Sequence, residues 1–249
     1  MNSSGIAKKE VKEKYEEWHS KTVGSDIVDA KFNKWLINTV RKEVKEKRTI
    51  LDVACGRGNW LKACQKLGIN CYGVDVSKAG LARAKERLDF TELVLSDAEK
   101  LPFRACSFDI VTCLGSLEHF PNPERGIEEM QRILTESGKA FVLVPNAYFL
   151  GHVYMVFKTG ESPDEGGQHF LERFATKKSW HILLNSYGLK VIKCFKYNRI
   201  TKASRRVSSI TRIIYNILIA PVLPLNLSYA FLFVCIKSDR FAQSKRLHI

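Results

Sequence analysis

Several features that would assign this chain of 249 residues to other protein classes are missing from it. Its seven cysteines include no C-x-x-C pair, so neither a zinc ribbon nor a dithiol redox motif is encoded, and the odd, irregular set fits a reducing cytoplasm. The amino-terminal stretch is charged and lacks the apolar core of a secretory signal. We therefore expect a cytoplasmic protein.

Acidic residues are scarce in the last quarter of the chain. Between Lys190 and Ile249, twelve Lys and Arg residues accompany a single acid, Asp239, and the whole chain carries a formal charge of +14. This asymmetry predicts an anionic partner, which would be a membrane surface, a nucleic acid or a phosphorylated substrate. A purely solubilising basic surface is the alternative.

A strand, a glycine-rich turn and a helix occupy residues 49–67, TILDVACGRGNWLKACQKL. Gly56 and Gly58 have no side chains, so a ligand can approach the backbone of the turn, and the helix that follows directs unpaired N–H groups toward it. This pattern is typical of a nucleotide-type ligand site. A simple strand-to-helix connection is the alternative.

An acid follows the turn at the spacing that a ribose requires. Asp75 ends the strand CYGVD about twenty residues after the turn begins, where doubly wound folds place a carboxylate that accepts hydrogen bonds from ribose hydroxyls. The dinucleotide pattern would next need a glycine at position 61, but the residue there is Leu61. The broken G-x-G-x-x-G pattern argues against a nicotinamide cofactor.

Four ordered motifs resemble those of class I S-adenosylmethionine-dependent methyltransferases, of the small-molecule or ubiquinone-biosynthesis type. They are Asp52–Gly58, Tyr72–Ser77, Ser96–Phe103, and Phe108–Thr112 with Leu117–Phe120. The resemblance implies S-adenosylmethionine as the cofactor, with Asp97 reading the adenine amine. The cofactor-binding residues that we predict are Asp52, Ala54, Cys55, Gly56, Gly58, Asp75, Val76, Asp97, Ala98, Leu114 and Tyr15. Ala54 stands where the family often has glycine, and we expect little consequence.

Strands alternate with helices after residue 49, which indicates parallel pairing. The predicted fold class is α/β, a Rossmann-like doubly wound, mostly parallel seven-stranded sheet with N-terminal helices and an insertion before the last strand. We expect residues 1–48 to form a helical lid and residues 49–197 with 229–238 to form the cofactor-binding core. Residues 198–228 would be the insertion, and residues 239–249 a basic tail.

The insertion combines a basic start with an apolar continuation, since residues 213–236 form a run of 24 without a charge. Pro221 and Pro224, together with the need for YAFLFVCI as the last strand, argue against a transmembrane helix. Two interpretations stay open. One is an interfacial helix with Ile213, Ile214 and Ile217 on one face and arginines for anionic lipid, and the other is a flap over the active site.

The candidate catalytic residues are Glu118, His119 and His169. The first two follow the fourth strand, and His169 comes from a polar, glycine-bearing loop. Imidazole has a pKa suited to a general base, which an alcohol or phenol acceptor needs. Some O-methyltransferases bind a metal through Glu-x-x-Glu-His, but Gly115 replaces the first Glu here, and we predict no metal.

We therefore expect methyl transfer to a small-molecule or lipid-linked acceptor, most simply at oxygen, with a membrane surface as a further partner. RNA or other nucleic-acid methylation is one alternative, although the chain contains no N/D-P-P-Y run and no paired catalytic cysteines. A catalytically inert cofactor-binding scaffold is another.

Overall fold

The computed structural model of the chain describes residues 3–21, 26–43, 49–89, 91–160, 173–198 and 213–238. His169, most of the basic half of the insertion and the tail 239–249 lie outside these residues. The described strands are β1 (Thr49–Val53), β2 (Asn70–Asp75), β3 (Glu92–Leu95), β4 (Phe108–Leu114), β5 (Leu134–Pro145), β6 (Leu189–Tyr197) and β7 (Ala230–Lys237). The described α-helices are α1 (Ser3–Lys21), α2 (Asp26–Glu43), α3 (Asn59–Gln65), α4 (Lys78–Lys85), α5 (Pro123–Ile133), α6 (Leu150–Thr159) and α7 (Lys177–Ser186).

The strands form one sheet in the order β3-β2-β1-β4-β5-β7-β6. All pairs from β3 to β5 are parallel, and β7 runs antiparallel to both β5 and β6. This arrangement confirms the predicted Rossmann-like, mostly parallel seven-stranded sheet. It also places the carboxyl ends of β1 to β5 at one edge, together with the end of β6 and the start of β7.

Local sequence signals explain most of the element boundaries. The Ser77 hydroxyl accepts a hydrogen bond from Gly80 N and caps α4, while Pro123 occupies the first turn of α5. Gly68 and Gly188 adopt positive φ after α3 and α7, a conformation that glycine takes at helix ends without strain. Strand β5 begins at Leu134, which pairs with Phe108 before an irregularity in the ladder.

The sheet has a hydrophobic core on each face. One core contains Phe141 and Leu61 and packs against α2 and α3, and the other contains Met130 and Trp180 and packs against α5 and α7. The amino end of β4 is fixed by Asp109, which accepts hydrogen bonds from the backbone N–H and the hydroxyl of Thr49. The functional residues must therefore be sought at the opposite edge.

One backbone feature departs from expectation at the glycine turn. Ala54 has a φ of +59°, a left-handed conformation that costs an L-amino acid about 1 kcal/mol relative to glycine. Its small side chain fits the available space, but its Cβ disfavours the backbone geometry. The expectation that alanine would have little consequence here considered size and overlooked this conformational cost.

We expect Ala54→Gly to raise the free energy of unfolding by about 1 kcal/mol, since it removes the Cβ from a left-handed residue. Urea denaturation would measure the change. Ala63→Gly, the same substitution inside α3, is the matched control and should destabilise by about 1 kcal/mol. Equal destabilisation by the two variants would show that Ala54 carries no such strain.

Candidate functional site

The carboxyl edge of the sheet brings the glycine turn, Asp75 and Asp97 together, as the sequence predicted from their positions after β1, β2 and β3. Asp75 is buried, and its two carboxylate oxygens accept hydrogen bonds from Gly56 N at 2.7 Å and from Ser77 N at 2.8 Å. Ionised carboxylates offer about four acceptor positions, so capacity remains for hydroxyl donors. Asp75 is thus both a structural link and a candidate ligand-binding group.

Asp52 lies one layer below the rim and is buried within β1. Its side chain accepts a hydrogen bond from the Thr112 hydroxyl at 2.6 Å, across the ladder between β1 and β4. Burial, opposed by this bond and reinforced by the nearby charge of Asp75, raises the pKa of Asp52 to about 7. The structure places Asp52 under the candidate site as a support for its floor.

Helix α1 closes over the rim through ion pairs at its amino-terminal half. The ammonium group of Lys8 lies 2.7 Å from Asp97 and 2.5 Å from Glu99. Glu99 is almost fully buried and also accepts hydrogen bonds from the backbone and side chain of Asn122. Lys8 therefore attaches α1 to the same carboxylate that was predicted to read the adenine.

The carboxyl-terminal half of α1 covers the glycine turn itself. Glu16 accepts hydrogen bonds from the Ser77 hydroxyl and from Ala79 N at the start of α4. The ring of buried His19 packs on the turn so closely that a Cβ added to Gly56 would lie 3.1 Å from its Cε1 atom. Helix α1 thus packs over the glycine turn, and its role as a lid stays a prediction.

The lid also reaches the candidate catalytic residues. Tyr15 lies with its ring 5.9 Å from that of His119, in an edge-on arrangement. His119 and Glu118 are both buried in the short 3₁₀ turn Leu117–His119 after β4, with Glu118 Oε1 3.9 Å from His119 Nε2. The structure brings these three predicted residues together, whereas His169 lies outside the described part of the chain.

The remaining predicted cofactor residues occupy the floor and walls of this edge. Cys55 is buried, Val76 and Ala98 are half-buried beside their acids, and Leu114 ends β4 with its side chain packed against the core on the α3 face. Gly58 has a φ of +69°, and a Cβ added there would lie 2.5 Å from Leu88 Cδ1, so a side chain at this position would collide with Leu88. Their positions agree with a site at this edge, and their contacts with a cofactor stay predictions.

A cluster of aromatic side chains at the ends of β5 and β6 was missed from the sequence. His152 of α6 lies with its ring 5.0 Å from Phe149, 5.6 Å from Phe174 and 6.4 Å from Tyr229. Arg173 ties this region to the catalytic turn, since its backbone N–H donates to Glu118 O and its guanidinium donates to Phe120 O and Pro121 O. These residues come from four separate segments of the chain, so no short sequence motif predicts the cluster.

Sequence reasoning also missed the residues by which α1 is attached, namely Lys8, Glu16 and His19. Their partners are 37 to 91 positions away in the sequence, and in the helix sequence these three residues look like ordinary charged and aromatic positions. The only available signal was the apolar stripe of α1 with Tyr15 and Trp18. Trp18 turns out to be exposed, and its ring faces the Arg57 guanidinium at 5.5 Å.

Comparison with known proteins finds a family match for the central part of the chain. The family model described as a methyltransferase domain matches residues 51–142, which contain the glycine turn, Asp75, Asp97 and the catalytic turn. The chain carries a class I S-adenosylmethionine-dependent methyltransferase domain. The predicted family, enzyme class and cofactor are thereby confirmed at the level of this domain.

The relatives of this methyltransferase domain include proteins with assigned activities. The ubiquinone biosynthesis O-methyltransferase of Coxiella burnetii is 34% identical over 131 residues, which cover 49% of this chain and 56% of the relative. The chain thus spans little more than half the length of that relative.

Solved structures share the fold at lower identity. An S-adenosylmethionine-dependent methyltransferase of Thermotoga maritima has a TM-score of 0.63 at 21% identity, covering 85% of this chain and 92% of that one. Magnesium protoporphyrin IX methyltransferase of Synechocystis, solved with bound S-adenosylhomocysteine, has a TM-score of 0.56 at 14% identity, covering 86% and 83%. At these identities the likeness shows the fold alone.

Docking of α1 on the methyltransferase domain should depend on pH through His19. Burial and the charge of Arg57 lower the pKa of His19 to about 4, against 6.5 for a free histidine. The docked lid therefore favours neutral His19, so docking is strongest above pH 6.5 and weakens as the pH falls toward 4. Protease cleavage within α1 should accelerate over this pH range.

The matched control for this pH effect is His19→Gln, because the carboxylates of Glu16 and Asp97 also take part in the contacts of α1. The variant keeps both carboxylates and removes the imidazole, so it should lose the part of the acceleration between pH 6.5 and 5. An unchanged cleavage profile in His19→Gln would contradict the role of His19 in holding the lid.

Proposed function

We propose that this methyltransferase transfers the methyl group of S-adenosylmethionine to an oxygen atom of a small-molecule or lipid-linked acceptor. The single observation that supports it most is the placement of buried His119 and Glu118 at the rim that also holds the glycine turn and Asp75, under one lid helix.

The residues at the rim fit the cofactor by the chemistry of their donor and acceptor groups. Asp75 retains acceptor capacity for a ribose diol, and Asp97 ends the adjacent strand, where a carboxylate can accept from an exocyclic amine. Gly56 and Gly58 both adopt positive φ in the turn, and the absence of a side chain at Gly56 leaves room for the ring of His19 above the backbone. When bound, the sulfonium group supplies an activated methyl, so the protein needs few catalytic residues.

The cofactor and α1 compete for some of these groups. Lys8 neutralises Asp97, and Glu16 occupies the start of α4 close to Asp75. We infer that α1 releases part of this contact when the cofactor enters and then covers it. Exclusion of water by such a lid favours methyl transfer to the acceptor over side reactions.

The chain's own task in the reaction is to position the acceptor oxygen and to remove its proton. His119 lies at the end of β4 beside Glu118, whose carboxylate is suited to orient the ring and to stabilise the imidazolium formed when His119 takes the proton. His119 would hold the proton that the acceptor hydroxyl gives up when its oxygen takes the methyl group, and Glu118 would balance the charge of the imidazolium.

An oxygen acceptor is supported by the name of the Coxiella relative, an O-methyltransferase of ubiquinone biosynthesis, and by the aromatic cluster around His152 at the acceptor side of the rim. Aromatic rings suit a planar or apolar acceptor. Nucleic-acid methylation and an inert scaffold are the alternatives. An assay with whole cell extract as the source of acceptors distinguishes the three functions.

The test is incubation of the protein with methyl-labelled S-adenosylmethionine and an extract of the source cells, followed by partition between organic and aqueous phases. We expect label in an alkali-stable, small organic product. His119→Asn should lower the rate about a hundredfold, as expected for loss of a general base. His181→Asn, on the exposed side of α7, is the matched control and should leave the rate unchanged.

Label in nucleic acid would contradict the acceptor class, and absence of label from every fraction despite cofactor binding would favour the scaffold. Equal rates for His119→Asn and the wild type would show that His119 is not the general base. The same assay on Glu118→Gln would then test whether Glu118 has that role.

A further inference from the structure

Exposed apolar side chains are concentrated on two segments of the structure. Of the seventeen large hydrophobic side chains that are exposed in the described residues, twelve lie in residues 148–157 and 213–222. The most exposed are Phe157 at 87% and Val222 at 78%. Helix α6 has no buried residue at all. Large contiguous apolar patches are rare on proteins that work alone in water.

The two segments are joined through a small core of their own. Phe149, at the start of α6, packs with Tyr215, Ala220 and Leu223 in a cluster separate from the two cores of the sheet. The short π-helix Tyr215–Ile219 buries Tyr215 and exposes Ile217 and Leu218, so it is apolar on its outer side as well. We call the exposed apolar side chains of 148–157 and 213–222 the apolar face.

The backbone beneath the apolar face is held firmly. Lys196 donates to the carbonyl oxygens of Pro221 and Leu223, and Asn198 donates to Ala220 O while accepting from Tyr229 N. Asn146 donates to the carbonyl oxygens of Asn226 and Ser228. Because these bonds anchor residues 220–229 to the ends of β5 and β6, the apolar face is a built surface of the folded protein.

Positive charge predominates in the sequence around the apolar face. Residues 137–238 contain fourteen Lys and Arg against four acids, which all lie in residues 161–172. Lys158 follows Phe157 directly in the sequence, and Arg212 precedes Ile213. Cationic side chains around an apolar surface complement the anionic head groups and acyl chains of a bilayer.

We propose that the apolar face docks on the surface of an anionic lipid bilayer. A second copy of the chain is a poorer occupant, since self-association through this face would bring together two segments that each carry an excess of positive charge. The docked orientation turns the carboxyl edge of β5, with the aromatic cluster around His152, toward the lipid. The proposal concerns binding and does not depend on methyl transfer.

The experiment is co-sedimentation of the full-length protein with vesicles of phosphatidylcholine alone or with phosphatidylglycerol. We expect binding to the anionic vesicles that weakens as salt rises, and little binding to the neutral ones. The double variant Phe157→Ser with Val222→Ser removes the two most exposed side chains and should bind anionic vesicles about tenfold less tightly.

Ile182→Ser is the matched control, since Ile182 is 53% exposed on α7, away from the apolar face. It should bind vesicles like the wild type, and thermal melting should show that all variants are folded. Absence of binding by the wild type would overturn the proposal, and so would equal binding by the double variant and the control. A dimer in sedimentation velocity that the double variant abolishes, without vesicle binding, would assign the face to a second copy.

Discussion

The two hydrogen bonds that Asp75 accepts from the backbone of Gly56 and Ser77 hold together the segments on which the site depends. They join the glycine turn after β1 to the start of α4, and the carboxylate that makes them is itself a candidate ligand of the cofactor. Burial raises the pKa of Asp75, and the backbone donors oppose that shift by stabilising its charged form. The same group therefore positions the turn and lies at the candidate cofactor site.

Helix α1 packs on the outer side of the same edge of the sheet. Lys8, Glu16 and His19 contact the ends of β3, the start of α4 and the glycine turn in succession, so one helix spans the whole cofactor rim. The three contacts differ in kind, since Lys8 forms ion pairs, Glu16 accepts hydrogen bonds and His19 packs as a buried ring. Together they attach one helix across the rim of the candidate cofactor site.

The site residues that could be predicted from the sequence belong to short motifs of neighbouring residues. The glycine turn, Asp75, Asp97 and the Glu118–His119 turn each follow a strand of a parallel sheet, so the topology alone carries them to one edge. The contacts of Lys8, Glu16 and His19 and the aromatic cluster around His152 join segments that are distant in the sequence. A single sequence does not indicate which distant segments will meet. Ala54 was misjudged because its backbone conformation, rather than its size, decides its cost.

The most direct test of the cofactor site is calorimetric titration of S-adenosylhomocysteine into the wild type, Asp75→Asn and Asp109→Asn. Asp109 is a carboxylate bonded to backbone at the opposite edge of the sheet, and it serves as the control. We predict binding by the wild type and by Asp109→Asn, and binding at least about tenfold weaker by Asp75→Asn, since a hydrogen bond to a charged group contributes about 1.5–3 kcal/mol. Failure of the wild type to bind, or equal binding by Asp75→Asn, would contradict the account.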